Sequence, residues 1–142
     1  MRILQILTIC FALTGIACSQ SEAPAKSTSA LLSGTISLNP SVRADADPLA
    51  VMFVIVRTED GGIGAVKKLL PPFQFPVPFE ITSEDLMIPG KELKGTLTPT
   101  ARLDKDGNAN PAQPGDIIGR CNPANAELGA SAVKIDLNEL VK

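Results

Sequence analysis

One short segment of this sequence places carboxylates at a spacing that could bind a metal ion. Asp104, Asp106 and Asn108 alternate along Asp104-Lys105-Asp106-Gly107-Asn108, which resembles the start of a calcium-binding loop. The sixth position of such a loop would be Ala109, where glycine is required, and the twelfth would be Gly115, where a bidentate glutamate belongs. The segment therefore predicts a hairpin turn rather than a metal site.

The chain contains no histidine, and this excludes several kinds of active site. Ser-His-Asp and Cys-His nucleophiles, histidine-ligated haem and the usual zinc and copper sites all need an imidazole as base or ligand. The sequence also has no CxxC or CxxCH motif, so it predicts neither c-type haem attachment nor dithiol exchange through that motif. We expect no catalytic residues, no metal ligands and no cofactor.

Cys121, next to Arg120, is the cysteine that falls within the predicted folded domain. The charge of Arg120 could lower the pKa of the thiol, but a cysteine nucleophile also needs a base, and the sequence supplies none of the expected kind. We expect Cys121 to be a half-buried residue at a strand end that reacts slowly with thiol probes.

Five further carboxylates could meet across the fold, as the paired acids of a glycosidase do. Nothing in the sequence fixes their separation, and a domain without Trp or Tyr offers little surface on which a sugar could stack. We therefore expect that the protein is not an enzyme. These carboxylates belong to Glu84, Asp85, Glu92, Asp116 and Asp136.

The first thirty residues are typical of an exported protein with a lipid anchor. Residues 1–17 have a short positive start, an apolar run and small residues at the end, as a signal peptide does. Leu13-Thr14-Gly15-Ile16-Ala17-Cys18 resembles the lipobox of bacterial lipoproteins, in which the cysteine becomes the lipidated first residue of the mature chain. The resemblance implies that Cys18 carries fatty acids such as palmitate and anchors the protein to the membrane. Residues 18–30 are rich in Ser, Ala and Pro, which predicts a flexible linker.

Ordinary signal cleavage is the alternative at this site. Gly15 stands where a lipobox normally has Leu, Val or Ile, and Gly15 with Ala17 also fits the small-x-small rule of signal cleavage. Without a lipid, Cys18 could form a disulfide with Cys121. The predicted location is the cell envelope, facing the periplasm, and Ser19 favours the outer membrane over the inner one.

The longest apolar run of the predicted domain, Val51-Met52-Phe53-Val54-Ile55-Val56, follows Ala50 and ends at Arg57. It is rich in β-branched residues and predicts a strand buried on both faces within a sheet. The alternating segment Leu32–Leu38 predicts a half-buried strand. The four prolines of Pro71–Pro78 restrict that segment to an edge or a crossover, with Phe73, Phe75 and Phe79 directed into the core. Leu93–Leu103 predicts a second long strand.

Seven or so short strands at spacings near ten residues, without an amphipathic helix of ordinary length, predict an all-β fold over residues 31–142. We expect an antiparallel immunoglobulin-like β-sandwich, with a small barrel as the alternative. The formal net charge is −2 and the longest basic run is Lys67-Lys68, so no nucleic-acid partner is predicted.

Four segments taken together resemble a known family. Met52–Arg57, Phe75–Phe79, Ala101–Ala109 and Pro114–Gly119 occur in the order and spacing of the C-terminal periplasmic immunoglobulin-like domain of the cytochrome c maturation protein I (CycH-type) family. The resemblance spans Leu32 to Leu137. It implies a β-sandwich that contacts other proteins during delivery of apocytochrome c to the haem ligation complex.

Members of that family carry membrane helices and a tetratricopeptide domain that grips the apocytochrome, and this sequence shows neither. We expect a lipid on Cys18 to replace the helices as the anchor. The resemblance therefore predicts a lipid-anchored binding or assembly module of the cell envelope, an accessory to c-type cytochrome biogenesis whose partners are apocytochrome c or subunits of the haem ligation complex. The alternative is a structural or unrelated ligand-binding envelope lipoprotein with no cytochrome role.

Overall fold

The computed structural model describes residues 29–142, so the predicted signal peptide, the lipidation of Cys18 and most of the predicted linker lie outside the described residues. Ser29 and Ala30 are exposed and have no regular secondary structure. Within residues 29–142, two short 3₁₀ turns occur, at Pro40–Asp45 and Ser83–Asp85. The described part of the chain has seven strands, which are β1 (Leu32–Leu38), β2 (Val51–Arg57), β3 (Ile63–Leu69), β4 (Val77–Ile81), β5 (Thr98–Asp104), β6 (Ile117–Cys121) and β7 (Val133–Leu140).

The apolar run forms β2, and both of its faces are buried, as predicted. Met52 and Val54 face the main core and are fully buried. Phe53 and Ile55 point to the opposite face and are only 5% and 8% exposed. The Lys68 ammonium lies 5.8 Å from the centre of the Phe53 ring, and Ile55 lines a groove with the connection 109–112. Loop residues and long side chains therefore cover the second face, where a second apolar layer would otherwise be needed.

The strands form one sheet in the order β3-β2-β5-β6-β7-β1-β4. The core cluster draws side chains from all seven strands, so the sheet curls around a single core. The predicted all-β fold of seven strands is confirmed. One pairing differs from the expected antiparallel pattern, because β1 runs parallel to β7 from Gly34↔Val133 to Leu38↔Leu137. A parallel pair needs a long connection, and the other five strands of the described domain lie between β1 and β7 in the sequence.

Strand register assigns each loop to one of two ends of the domain. The residue pairs between neighbouring strands show that the start of β1 lies at the same end of the sheet as the start of β3 and the end of β4. We call this the N-terminal end, because the described chain joins the sheet there at Leu31. The opposite end, called the distal end, holds the end of β1, the start of β2 and the end of β3.

The two prolines that lie within strands of the described domain occur where the strand has no hydrogen-bonded neighbour on one side. Pro78 lies in β4, which is a terminal strand of the sheet, so the edge predicted for Pro71–Pro78 is confirmed. Phe79 is buried, and Phe73 and Phe75 are partly buried against the core. Pro99 lies in β5 opposite Val56, but the pairing of β5 with β6 begins only at Thr100.

The long strand predicted from Leu93 to Leu103 is wrong in its first half. β5 begins at Thr98, and residues 91–96 form an irregular segment. Leu93 and Leu97 are nevertheless buried, which explains the apolar alternation that predicted a strand. Among residues 29–142 there is no helix long and apolar enough to cross a membrane.

Candidate functional site

The carboxylates of the Asp104–Asn108 turn bind the backbone of their own loop. Asp104 Oδ1 accepts hydrogen bonds from the N–H groups of Gly107 at 2.7 Å and Asn108 at 3.2 Å. Asp106 Oδ1 accepts one from Asn108 N–H at 2.8 Å. These contacts close the turn that the sequence predicts after β5. Within residues 29–142, no three Asp, Glu, His or Cys side chains lie close enough together to hold a metal ion.

Arg102 is a buried charge that sequence reasoning did not identify. It occupies β5, and its side chain is 8% exposed, against 0% for Asp104 and 1% for Asp116. Arg102 Nη2 lies 3.0 Å from Asp104 Oδ2, and Arg102 Nε lies 3.8 Å from Asp116 Oδ2. We call these three residues the Arg102 cluster. In the sequence Arg102 falls on the polar face of an alternating strand, where a side chain is expected to be exposed.

The Arg102 cluster holds the connection between β5 and β6 in place. Arg102 Nη2 donates a hydrogen bond to the Asn108 carbonyl at 3.2 Å. Asp116 Oδ2 accepts one from Gln113 N–H at 2.8 Å, and its Oδ1 accepts one from Lys105 N–H at 3.2 Å. The two acids and the arginine therefore fix both ends of this connection at the distal end.

Burial raises the pKa of Asp104 above its usual value, because desolvation disfavours the charged form. The neighbouring carboxyl groups of Asp106 and Asp116 raise it further, while the Gly107 N–H and the Arg102 guanidinium oppose the shift. Asp104 Oδ2 and Arg102 Nε are both buried without a hydrogen-bond partner among the described residues. The contact between Arg102 and Asp104 is thus an ion pair without aligned hydrogen bonds, so charge balance is its main contribution.

Cys121 ends β6 and is one of the residues that line a cavity of about 390 Å³. The residue is only 5% exposed, and its Sγ donates a hydrogen bond to the Ala124 carbonyl at 3.0 Å. Burial raises the pKa of the Cys121 thiol. Arg120 does not act on it, because successive residues of a strand point to opposite faces and the exposed Arg120 lies 3.9 Å from Glu139. The strand-end position of Cys121 is confirmed, and the thiol is more deeply buried than expected.

The five acids considered as paired carboxylates do not form one cluster, although Glu84 and Asp85 are neighbours in the same 3₁₀ turn. Asp85 forms an ion pair with Lys67 at 3.1 Å and accepts a hydrogen bond from Thr82 N–H. Asp136 accepts a hydrogen bond from Asn39 Nδ2 at 3.0 Å. Glu92 lies 3.8 Å from Lys94 on the surface, Asp116 belongs to the Arg102 cluster, and Glu84 is exposed in the 3₁₀ turn. The structure therefore gives most of these acids a partner of their own.

Four large exposed apolar side chains lie at the N-terminal end of the described domain. Ile63, Met87, Ile88 and Leu128 are 41%, 55%, 56% and 48% exposed. Two adjoining grooves connect them, because Lys91, Glu92 and Leu93 line both. We call the four exposed residues the apolar patch. Large exposed apolar side chains that gather in one place mark an interaction surface more often than isolated ones do.

The segment that carries Met87 and Ile88 is held at several points. Leu86 bridges to Ala65 of β3, and Met87 N–H donates to the Gly64 carbonyl at 3.0 Å. A turn follows in which Lys91 N–H donates to the Ile88 carbonyl at 3.1 Å. Gly90 takes a positive φ of 79° in this turn, a conformation that glycine adopts without strain. The apolar side chains are thus presented by an ordered segment.

Leu31 joins the apolar patch to the start of the folded domain. It lines the larger groove, of about 430 Å³, together with Leu128. Its carbonyl accepts a hydrogen bond from Gly129 N–H at 2.8 Å, and its N–H donates to the Ile81 carbonyl at 2.7 Å. The sequence signal for the patch is the apolar pair Met87-Ile88 before Pro89-Gly90, but its neighbours in the fold are far away in the chain.

A family model described as the cytochrome c-type biogenesis protein H Ig-like domain matches residues 32–138. The match runs from the start of β1 into β7 and so includes strands from the whole sheet. It confirms the resemblance inferred from the sequence. No curated protein and no solved structure matches the chain.

Proposed function

The chain belongs to the Ig-like domain family of the cytochrome c-type biogenesis protein H, and on this premise we propose that it is a membrane-anchored binding module that assists the biogenesis of c-type cytochromes. The single observation that carries the proposal is the family match over residues 32–138. The partners of the module are apocytochrome c or subunits of the haem ligation complex. Fold alone does not define a function, so the proposal depends on finding these partners.

A lipid on Cys18 anchors this module to the cell envelope and holds it in the periplasm. The lipobox-like sequence Leu13–Cys18 and the apolar run before it support this part of the proposal. A lipidated cysteine with several acyl chains binds a bilayer stably, whereas a single short chain binds only marginally. Replacing Cys18 with serine should abolish palmitate incorporation and release the protein from washed membranes.

The module acts by contact and not by catalysis. The exposed apolar patch suits binding, and the groups that could react are engaged elsewhere. Cys121 is buried with a raised thiol pKa, and the Asp104 and Asp116 carboxylates bind backbone N–H groups within the Arg102 cluster. These features favour a binding role over an enzymatic one.

Crosslinking followed by affinity capture tests the proposal. Intact cells producing the tagged chain are treated with a membrane-permeant crosslinker, and the captured proteins are identified by mass spectrometry. We expect c-type cytochromes or haem ligation subunits. The Cys18→Ser chain serves as the control, because it keeps every residue of the described domain and loses only the anchor.

A second measurement is independent of capture. Deletion of the gene should lower the amount of covalently bound haem in c-type cytochromes, measured by haem staining of total membrane protein. Unchanged haem staining, together with capture of only porins or secretion components, would overturn the cytochrome role. That result would favour a structural or unrelated envelope lipoprotein.

A further inference from the structure

The exposed apolar side chains of the domain are unevenly distributed between its two ends. Four of the six large ones found among residues 29–142 form the apolar patch at the N-terminal end. Leu49, which precedes β2, and Leu70, which follows β3, lie at the distal end, since Met52 pairs with Leu69 there. Among the described residues, the N-terminal end thus has four exposed apolar side chains around two adjoining grooves, whereas the distal end has two exposed leucines.

The position of the apolar patch relative to Cys18 suggests what covers it. Residues 19–31 connect Cys18 to Leu31, which lines the larger groove of the patch. Even fully extended, this stretch spans about 45 Å at most, at roughly 3.5 Å per residue. A bilayer that holds a lipid on Cys18 is therefore within reach of the patch, because the chain enters the domain at the same end as the patch.

We propose that the apolar patch rests in the interface of the bilayer to which Cys18 anchors the chain, so that the domain stands on the membrane with its N-terminal end down. Met87, Ile88 and Leu128 contact the acyl boundary, as exposed apolar side chains of peripheral proteins do. The distal end, with the Arg102 cluster, then faces the periplasm. This inference rests on the lipid anchor of the proposed function.

The charges around the patch indicate which lipids it meets. Asp60, Lys91 and Glu92 line the smaller groove of the patch, and Lys94 lies 3.8 Å from Glu92. The two signs are mixed, so burial of apolar surface favours the contact and attraction to anionic headgroups does not. A zwitterionic bilayer of phosphatidylethanolamine and phosphatidylcholine fits this surface, and the contact should be insensitive to salt.

Depth-dependent quenching tests the orientation. The full lipidated chain carrying Cys121→Ser is purified with one cysteine introduced, as Ile88→Cys or Leu128→Cys in the patch, or as Leu49→Cys or Leu70→Cys at the distal end. Each cysteine is labelled with an environment-sensitive fluorophore, and the protein is reconstituted into zwitterionic vesicles with and without nitroxide-labelled lipids. Leu49 and Leu70 are matched controls, since they are 80% and 68% exposed.

We expect a blue shift and strong quenching by nitroxide lipids for labels at positions 88 and 128, and neither for labels at 49 and 70. A further variant adds Met87→Asp to the chain labelled at 128. It should remain in the vesicle fraction through its lipid but lose most of the quenching, because a charged side chain is costly to place in the acyl boundary.

Every other outcome overturns the inference, and the cause can be identified. If the protein incorporates no palmitate and stays out of the vesicle fraction, the lipid anchor itself fails. If the protein is anchored but labels 88 and 128 are not quenched, the anchor stands and the orientation is wrong. If the fluorescence of those labels is blue-shifted but nitroxide lipids do not quench it, another part of the chain or a second copy covers the patch. A blue shift that depends on protein concentration indicates the second copy.

Discussion

Replacement of Arg102 by methionine provides a quantitative test of the Arg102 cluster. Methionine retains the length and apolar part of the side chain, but it leaves two buried carboxylates, those of Asp104 and Asp116, without their cation. Removing one partner of a buried ion pair costs about 3–5 kcal/mol, because the remaining charge is desolvated and uncompensated. A domain of this size is stable by only about 5–15 kcal/mol, so the variant should be markedly less stable at pH 7.

The loss should depend on pH in a defined direction. Burial raises the folded-state pKa of Asp104 above its unfolded value, so the folded protein binds this proton more tightly than the unfolded chain does. Ionisation of Asp104 therefore costs stability, and this cost is complete above the folded pKa, shrinks as the pH falls from the folded pKa towards the unfolded pKa, and is absent below the unfolded pKa. Without Arg102 the pKa rises further, at about 1.4 kcal/mol per unit. The difference in the free energy of unfolding between the parent and the variant should thus be largest at neutral pH and should shrink as the pH is lowered.

The assay is urea unfolding followed by far-ultraviolet circular dichroism, since the chain has no Trp or Tyr to report by fluorescence. Arg120→Met is the matched control. Arg120 lies in the next strand, is 75% exposed and lies 3.9 Å from Glu139, so its loss should cost less than about 0.5 kcal/mol. Adding Asp104→Asn to Arg102→Met should recover stability at pH 7 by removing the uncompensated charge. Equal costs for the two arginines, or a deficit that is the same at pH 7 and at acid pH, would refute the reasoning.

Three further predictions concern close contacts and burial. Gly34→Ala should destabilise the domain by about 1–3 kcal/mol, since its Cβ would lie 1.9 Å from the Val133 carbonyl oxygen of the parallel pair; a thermal midpoint equal to that of the parent would contradict the close approach. Met52→Ala should cost about 2–5 kcal/mol because Met52 is fully buried, whereas the exposed Leu70→Ala should cost little; equal urea midpoints for the two variants would argue against the assigned core. Cys121 should react with a thiol probe slowly at pH 7 and at the rate of a free thiol in urea, because burial raises its pKa; rapid labelling of the folded protein would show that the thiol is accessible.

Several strands could be recognised because local pattern decides them. The apolar run of β2 and the alternation of β1 match the structure closely, since each pattern repeats over a short, continuous segment. The edge position of Pro78 follows from the missing N–H of proline. The strand predicted over Leu93–Leu103 failed in its first half because an irregular segment can bury alternate leucines as a strand does. The alternating pattern indicates which side chains are buried. It does not by itself indicate a strand, because a strand also needs a neighbouring strand with which to pair.

The candidate surfaces were harder to predict because they combine distant parts of the chain. The apolar patch brings Ile63 of β3 together with the segment of Met87 and Ile88 and with Leu128. The environment of Cys121 depends on which face of β6 it occupies, and the adjacent Arg120 lies on the other face. Sequence neighbours in a strand are separated by the sheet, whereas residues far apart in the chain share a groove.

The sequence by itself determined the all-β class, the position of the central buried strand and the family, because each depends on residue types in short segments or on their order along the chain. Only the tertiary structure decided that β1 runs beside β7, that Arg102 is buried between two carboxylates and that the exposed apolar side chains gather where the chain joins the sheet. These features arise from contacts between residues far apart in the chain. Their energies depend on burial and on neighbouring charges, which exist only once the strands are assembled.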